Sequence, residues 1–137
     1  MKKTINVPTI PLPEAIARVT RFRNQFTELI PETEIPRAVL IPIDDLLAIV
    51  SRYESIDKEG NIVNTLKGVR AYFAVKASDQ ALPDDITALI VPVDLAGNDI
   101  VLNEGVGLGA PDFDSEVYDF TMPCPTECDV DSPLYIP

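Results

Sequence analysis

All eleven Lys and Arg residues of this 137-residue chain lie at or before Lys76, whereas residues 77 to 137 contain thirteen Asp or Glu and no cation. The first 76 residues hold eleven cations against nine anions, a net of +2, and the remainder sums to −13, which together give the total of −11. Any fold of this chain must therefore set an acidic part over 77–137 beside a near-neutral first part, and a partner meets two unlike surfaces. Affinity for nucleic acid or an anionic membrane rests on Lys and Arg neutralising phosphates, so neither is expected as a partner. An acidic tract suits a basic protein surface, a hard cation, or dispersal by self-repulsion.

At this length, and with 46% apolar residues, one domain can bury about two-thirds of its unfolded surface without staples. The Met1-Lys2-Lys3-Thr4 start imitates the basic end of a signal peptide, but Asn6, Pro8, Pro11 and Pro13 break up the adjoining stretch, so no export signal is expected. No apolar run approaches the roughly 18 residues of a spanning helix, and a cytoplasmic location is the expectation. Histidine is absent, which removes the side chain that most often performs acid–base work near neutrality and the commonest metal ligand.

Along the chain, Val7 to Pro13 should be extended, because each proline fixes its own φ and drives its predecessor from the helical region. Ile16, Val19, Phe22, Phe26, Leu29 and Ile30 recur at helical spacing, which predicts an amphipathic helix over 13–30 with Arg18, Arg21 and Arg23 on its hydrated side. Arg37 to Ile41 reads as a short strand limited by Pro42, and Leu46 to Tyr53 as a second helix capped by Asp44 or Asp45. Residues 54–67 read as a polar surface turn. Val69 to Val75 and Ala88 to Val93 are buried-type strands expected to pair antiparallel, with Val69, Ala71, Phe73 and Val75 on one face. Gly97 and Asn98 suit a hairpin turn returning into Ile100 to Leu102. The predicted architecture is α+β: N-terminal helices packed on a small, mainly antiparallel sheet, with a domain over 1–103 and an acidic, Pro/Gly-rich, partly ordered tail over 104–137 docking on it.

Four segments carry possible chemistry. Cys124 and Cys128 could close a local disulfide, remain thiols, or provide half a metal site with carboxylates or a second chain. Asp112, Asp114 and Glu116 alternate along a loop in a way calcium can use, without the twelve-residue EF-hand pattern, and a solvated acidic loop is the plainer reading. Gly105 to Ala110 spells the dinucleotide fingerprint, but Pro111 follows at once and no helix pattern comes after it. Paired carboxylates could serve a hydrolase, though spacing in sequence does not fix their separation.

Gly68-Val69-Arg70-Ala71-Tyr72-Phe73, then Asp94 with Gly97-Asn98-Asp99, then Tyr118-Asp119-Phe120 and Pro123-Cys124-Pro125 with Cys128, occur in this order over 68–128. In these segments the chain resembles a group of short uncharacterised bacterial proteins. The resemblance implies a small αβ domain with a cysteine-bearing tail and transfers no site.

The functional expectation is a non-enzymatic interaction or assembly protein with no cofactor. Its acidic C-terminal third would engage a basic protein surface, on a second copy or on another protein. Tyr118, Phe120 and Tyr135 would serve as aromatic anchors beside Asp119, and Arg18 and Arg21 would offer a cationic face on the first helix. The alternative is a metal-binding protein using Cys124 and Cys128, or Asp112, Asp114 and Glu116.

Overall fold

A computed structural model describes residues 7–31, 35–75, 86–102, 115–124 and 128–136. Its elements are α1 (Leu12–Thr27), β1 (Ala38–Leu40), α2 (Ile43–Arg52), β2 (Glu54–Ile56), β3 (Ile62–Asn64), β4 (Leu66–Ala74), β5 (Thr87–Asp94) and β6 (Met122–Cys124). The fold is mixed α+β, and every strand pair is antiparallel. In place of the single sheet expected, the described strands form three two-stranded sheets: β1 with β6, β2 with β3, and β4 with β5.

α1 begins after Pro11, whose φ of −60° and ψ of 144° hold the chain extended up to the first turn, where Pro13 needs no amide partner. It stops at Thr27, earlier than the apolar spacing implied. The last turn carries no cation, Glu28 sits at its negative end, and Pro31 disfavours helical geometry at Ile30, so the amides of Leu29 and Ile30 both close back onto the Phe26 carbonyl. The inward stripe also differs. Ile16, Val19, Thr20, Phe26 and Ile30 are half-buried, and Arg23, expected on the hydrated side, is buried among them at 3% exposure. Position 23 lies seven residues from Ile16 and so falls on the stripe, and the long apolar stem of an arginine can line an apolar surface.

α2 starts at Ile43, three residues before the expected start, with Pro42 as its cap residue and no side-chain capping bond. Asp44 and Asp45 lie in its first turn and Arg52 in its last, which complements the helix dipole at both ends.

Residues 54–67 are not merely a turn. They contain the β2–β3 hairpin, closed by Asp57 Oδ1, which accepts from the amides of Glu59 (2.9 Å) and Asn61 (2.8 Å), with Gly60 at φ 83°. These strands leave no sequence trace, because each is three residues long and exposed throughout, so no buried face imposes alternation.

The core is laid down on β5. Ala88, Ile90, Val91 and Val93 are at most 5% exposed, and Pro92 is fully enclosed. β4 pairs along one edge, with Arg70 opposite Val91 and Tyr72 opposite Leu89. The other edge is met by the C-terminal segment: Tyr118 and Ile90 exchange amide-to-carbonyl bonds of 2.9 and 2.8 Å, and Thr121 Oγ1 both donates to the Ala88 carbonyl (2.8 Å) and accepts from its amide (3.1 Å). β5 is thus flanked on both sides. β4, expected to be buried, is half-buried only at its two ends and exposed between them.

The Asp94–Asn98 turn forms as expected, with Gly97 at φ 92° and Asp94 Oδ1 accepting from the amides of Ala96 and Asn98. The return strand over Ile100 to Leu102 does not form. Ile100 donates to the Pro92 carbonyl (2.9 Å), but Pro92 has no amide hydrogen to give back, and the ladder with β5 reduces to an isolated bridge between Val93 and Asp99, while Leu102 bridges Ser115.

Candidate interaction surface and the clasp behind it

The C-terminal segment is fastened to α2 by a buried carboxylate. Glu116, 2% exposed, accepts hydrogen bonds at Oε2 from the hydroxyls of Tyr53 (2.7 Å) and Tyr118 (2.5 Å), while Oε1 lies 2.9 Å from Nη2 of Arg52. Both oxygens are occupied, which is what a buried carboxylate requires. Burial, followed by the bond to Glu116, raises the pKa of both tyrosines above the ordinary value near 10. Arg52 comes from the last turn of α2 and Tyr53 from the residue that ends it, so the helix terminus delivers both partners together. A cavity of about 300 Å³ opens beside this cluster, lined by Asp45, Ile49, Arg52, Tyr118, Asp119 and Phe120.

This geometry changes the roles expected for several residues. Glu116, grouped by sequence with a possible calcium loop, is instead spent on Arg52 and two tyrosines. Asp112 and Asp114 lie outside the described residues. Cys124 and Cys128 are joined as a disulfide, one of the arrangements the spacing allowed, and in this state they offer no thiolate to a metal. Among the described residues no group of three or more Cys, Asp or Glu is placed to hold a metal ion.

The expected anchors are divided. Tyr118 is half-buried and its hydroxyl is bound to Glu116, so it holds the segment internally; Phe120 is half-buried beside it and Asp119 is exposed. Tyr135 is also engaged within the chain: the Arg37 guanidinium carbon sits 3.8 Å above its ring centroid, and Arg37 Nη1 donates to the Ile136 carbonyl. On α1, Arg18 bonds to Glu14 across one turn (3.0 Å) and Arg21 is exposed. The structure does not bring these two arginines to the tail residues as one site.

What sequence reasoning missed is the exposure of β4, a strand it expected over Val69 to Val75 but as a buried one. Val69 and Tyr72 are 37% and 45% exposed and Phe73 is 81% exposed, on a nine-residue strand whose outer edge pairs with nothing among the described residues, and Val75 just past its end is 44% exposed. The segment 66–75 contains Lys67 and Arg70 and no acidic residue. Arg70 and Tyr72 both reach Asp99, which fixes their side chains on the sheet. Cations without anions in a chain of net −11 were a readable signal, whereas the exposure was not, since alternating apolar residues suggest burial.

Among the described residues no helix is long and apolar enough to cross a membrane. No known protein family, curated protein or solved structure matches this chain.

Proposed function

We propose that this chain is a non-enzymatic assembly protein in which the acidic C-terminal face of one copy meets the basic, apolar β4 surface of a second copy. The observation that carries this reading is the exposure of β4, with Val69, Tyr72 and Phe73 turned to solvent and Val75 exposed just past its end. Long, apolar edge strands are surfaces that other chains pair with unless they are covered or blocked by charge. The complementary face is present on the same molecule. Asp129 and Asp131 are exposed around Val130, itself 63% exposed, and Leu134 is exposed nearby. Acid with apolar surface thus faces base with apolar surface, a pairing that sets register and approach as well as affinity. Because the two patches differ, the contact is head-to-tail and extends into open chains unless its rotation closes a ring.

Sedimentation of the full chain at low and high salt tests this. Association is expected at low salt and should weaken as the screening length falls from about 30 Å at 0.01 M to about 3 Å at 1 M. Lys67→Glu and Phe73→Ser should each reduce it without altering the fold. A protein that remains monomeric at high concentration in low salt, or associates identically after both substitutions, would rule the reading out.

A further inference from the structure

A second cavity, of about 500 Å³, lies between α1, β1 and the β4–β5 sheet. Phe22 and Phe26 contribute from α1, Val39 from β1, Phe73 from β4 and Ile86 from the residue before β5, and Arg37 is the one charged side chain among its described lining residues. The rings of Phe22 and Phe26 are 4.6 Å apart and tilted by 42°, forming one continuous aromatic wall. Both its volume and its chemistry, an apolar body with a single polar group, match those of small-ligand sites, which span about 300–1,000 Å³.

Arg37 is what makes the cavity specific. The side chain is half-buried, its plane is set by Tyr135 and one nitrogen by the Ile136 carbonyl, yet among the described residues no carboxylate pairs with it. The other ion pairs of the described chain, at Arg18, Arg52 and Arg70, each use an acidic partner. In a protein with twice as many acids as bases, a held cation with which no described carboxylate pairs, at an apolar cavity, offers a position for an anion. A guanidinium whose plane is already fixed binds a carboxylate with little further loss of side-chain freedom.

We infer that this cavity binds an amphiphilic carboxylate, with the hydrocarbon body against Phe22, Phe26, Val39 and Ile86 and the head group on Arg37. Phe73 lines this cavity and also belongs to the assembly contact proposed above, so Lys67→Glu separates the two: it should weaken association and leave ligand binding unchanged.

Dodecanoate, kept below its micellar concentration, is the probe, and dodecan-1-ol is the neutral comparator with the same chain. Each is titrated into ¹⁵N-labelled full-length protein, with calorimetry for affinity. Dodecanoate should bind saturably and shift the amides of Phe22, Phe26, Val39 and Ile86, and dodecan-1-ol should bind more weakly at the same place. Arg37→Gln should weaken dodecanoate by about tenfold or more, the range expected for a lost charge-assisted bond, and leave dodecan-1-ol unchanged. Because Arg37 also holds Tyr135 and Ile136, a second variant, Val39→Trp, fills the cavity from β1 with the arginine intact and should abolish binding of both ligands. Absence of saturable dodecanoate binding, shifts confined to another surface, equal affinity for acid and alcohol, or a Val39→Trp protein that binds like the wild type would each overturn the inference.

Discussion

Glu116 shows how one side chain ties distant parts of the chain together. A carboxylate buried to this degree is stable as an anion only with its lone pairs filled, and Arg52, Tyr53 and Tyr118 fill them. Sequence showed an acidic residue in an acidic stretch. Nothing local distinguished it from Asp112 or Asp114, because its partners Arg52 and Tyr53 lie more than sixty residues away. The same holds for Arg37, which acquires its role only when Tyr135 and Ile136 fold back onto it. The tyrosine pair makes the clasp sensitive to alkali. Both folded-state values are raised, so the stabilisation is complete below the unfolded value near pH 10 and is lost as pH rises past it through the folded values. Tyr53 and Tyr118 should therefore resist ionisation beyond pH 10 in an ultraviolet titration, and release of the C-terminal segment should accompany their ionisation. Ionisation of Tyr53 and Tyr118 near pH 10, with the fold intact, would contradict the clasp.

Among elements, those whose formation depends on local chemistry were legible. Prolines placed the start of α1, Asp57 with Gly60 and Asp94 with Gly97 built the two tight turns, and the β4–β5 pairing followed from two apolar runs joined by a polar segment, whereas α2 starts at Ile43, ahead of the Asp44 or Asp45 cap that was expected. Elements that depend on what covers them were not. β2, β3 and β6 are three residues each, too short for a period to register, and β6 exists only by pairing with β1 across the chain. Gly97 tests the turn chemistry in isolation. At φ 92° an added β-carbon would find only Lys67 Nζ, at an ordinary 3.9 Å, so the cost of Gly97→Ala is conformational and should be about 1–2 kcal/mol. A lower denaturation midpoint at unchanged slope is the expected signature. No change in midpoint would mean that the turn tolerates an ordinary residue.

For the whole molecule, the charge asymmetry takes a spatial form. The acidic part over 77–137 does not stand apart from the near-neutral first part, since β5 pairs with β4, β6 pairs with β1, and 128–136 return to Arg37. The disulfide lies at the end of β6, between the last two of these contacts. It closes a loop only four residues in sequence separation, for which the loss of unfolded-state freedom is worth about 2 kcal/mol. The Cys124→Ser/Cys128→Ser double variant should lose about that much stability, and its C-terminal residues should become the first site of proteolysis. Equal protection of the two proteins at 128–136 would show that Arg37 and Tyr135 hold the segment unaided.

Sequence by itself determined the charge distribution, the start of the first helix, the tight turns and the α+β class, because each depends on residues within a few positions of one another or on composition. Tertiary structure alone decided that β5 rather than β4 is enclosed, that Arg23 turns inward, that Glu116 closes a clasp and that Arg37 stands at an apolar cavity. Burial is set by which segments arrive from elsewhere in the chain, and Tyr118, Thr121 and Tyr135 reach their partners only once the whole chain has closed.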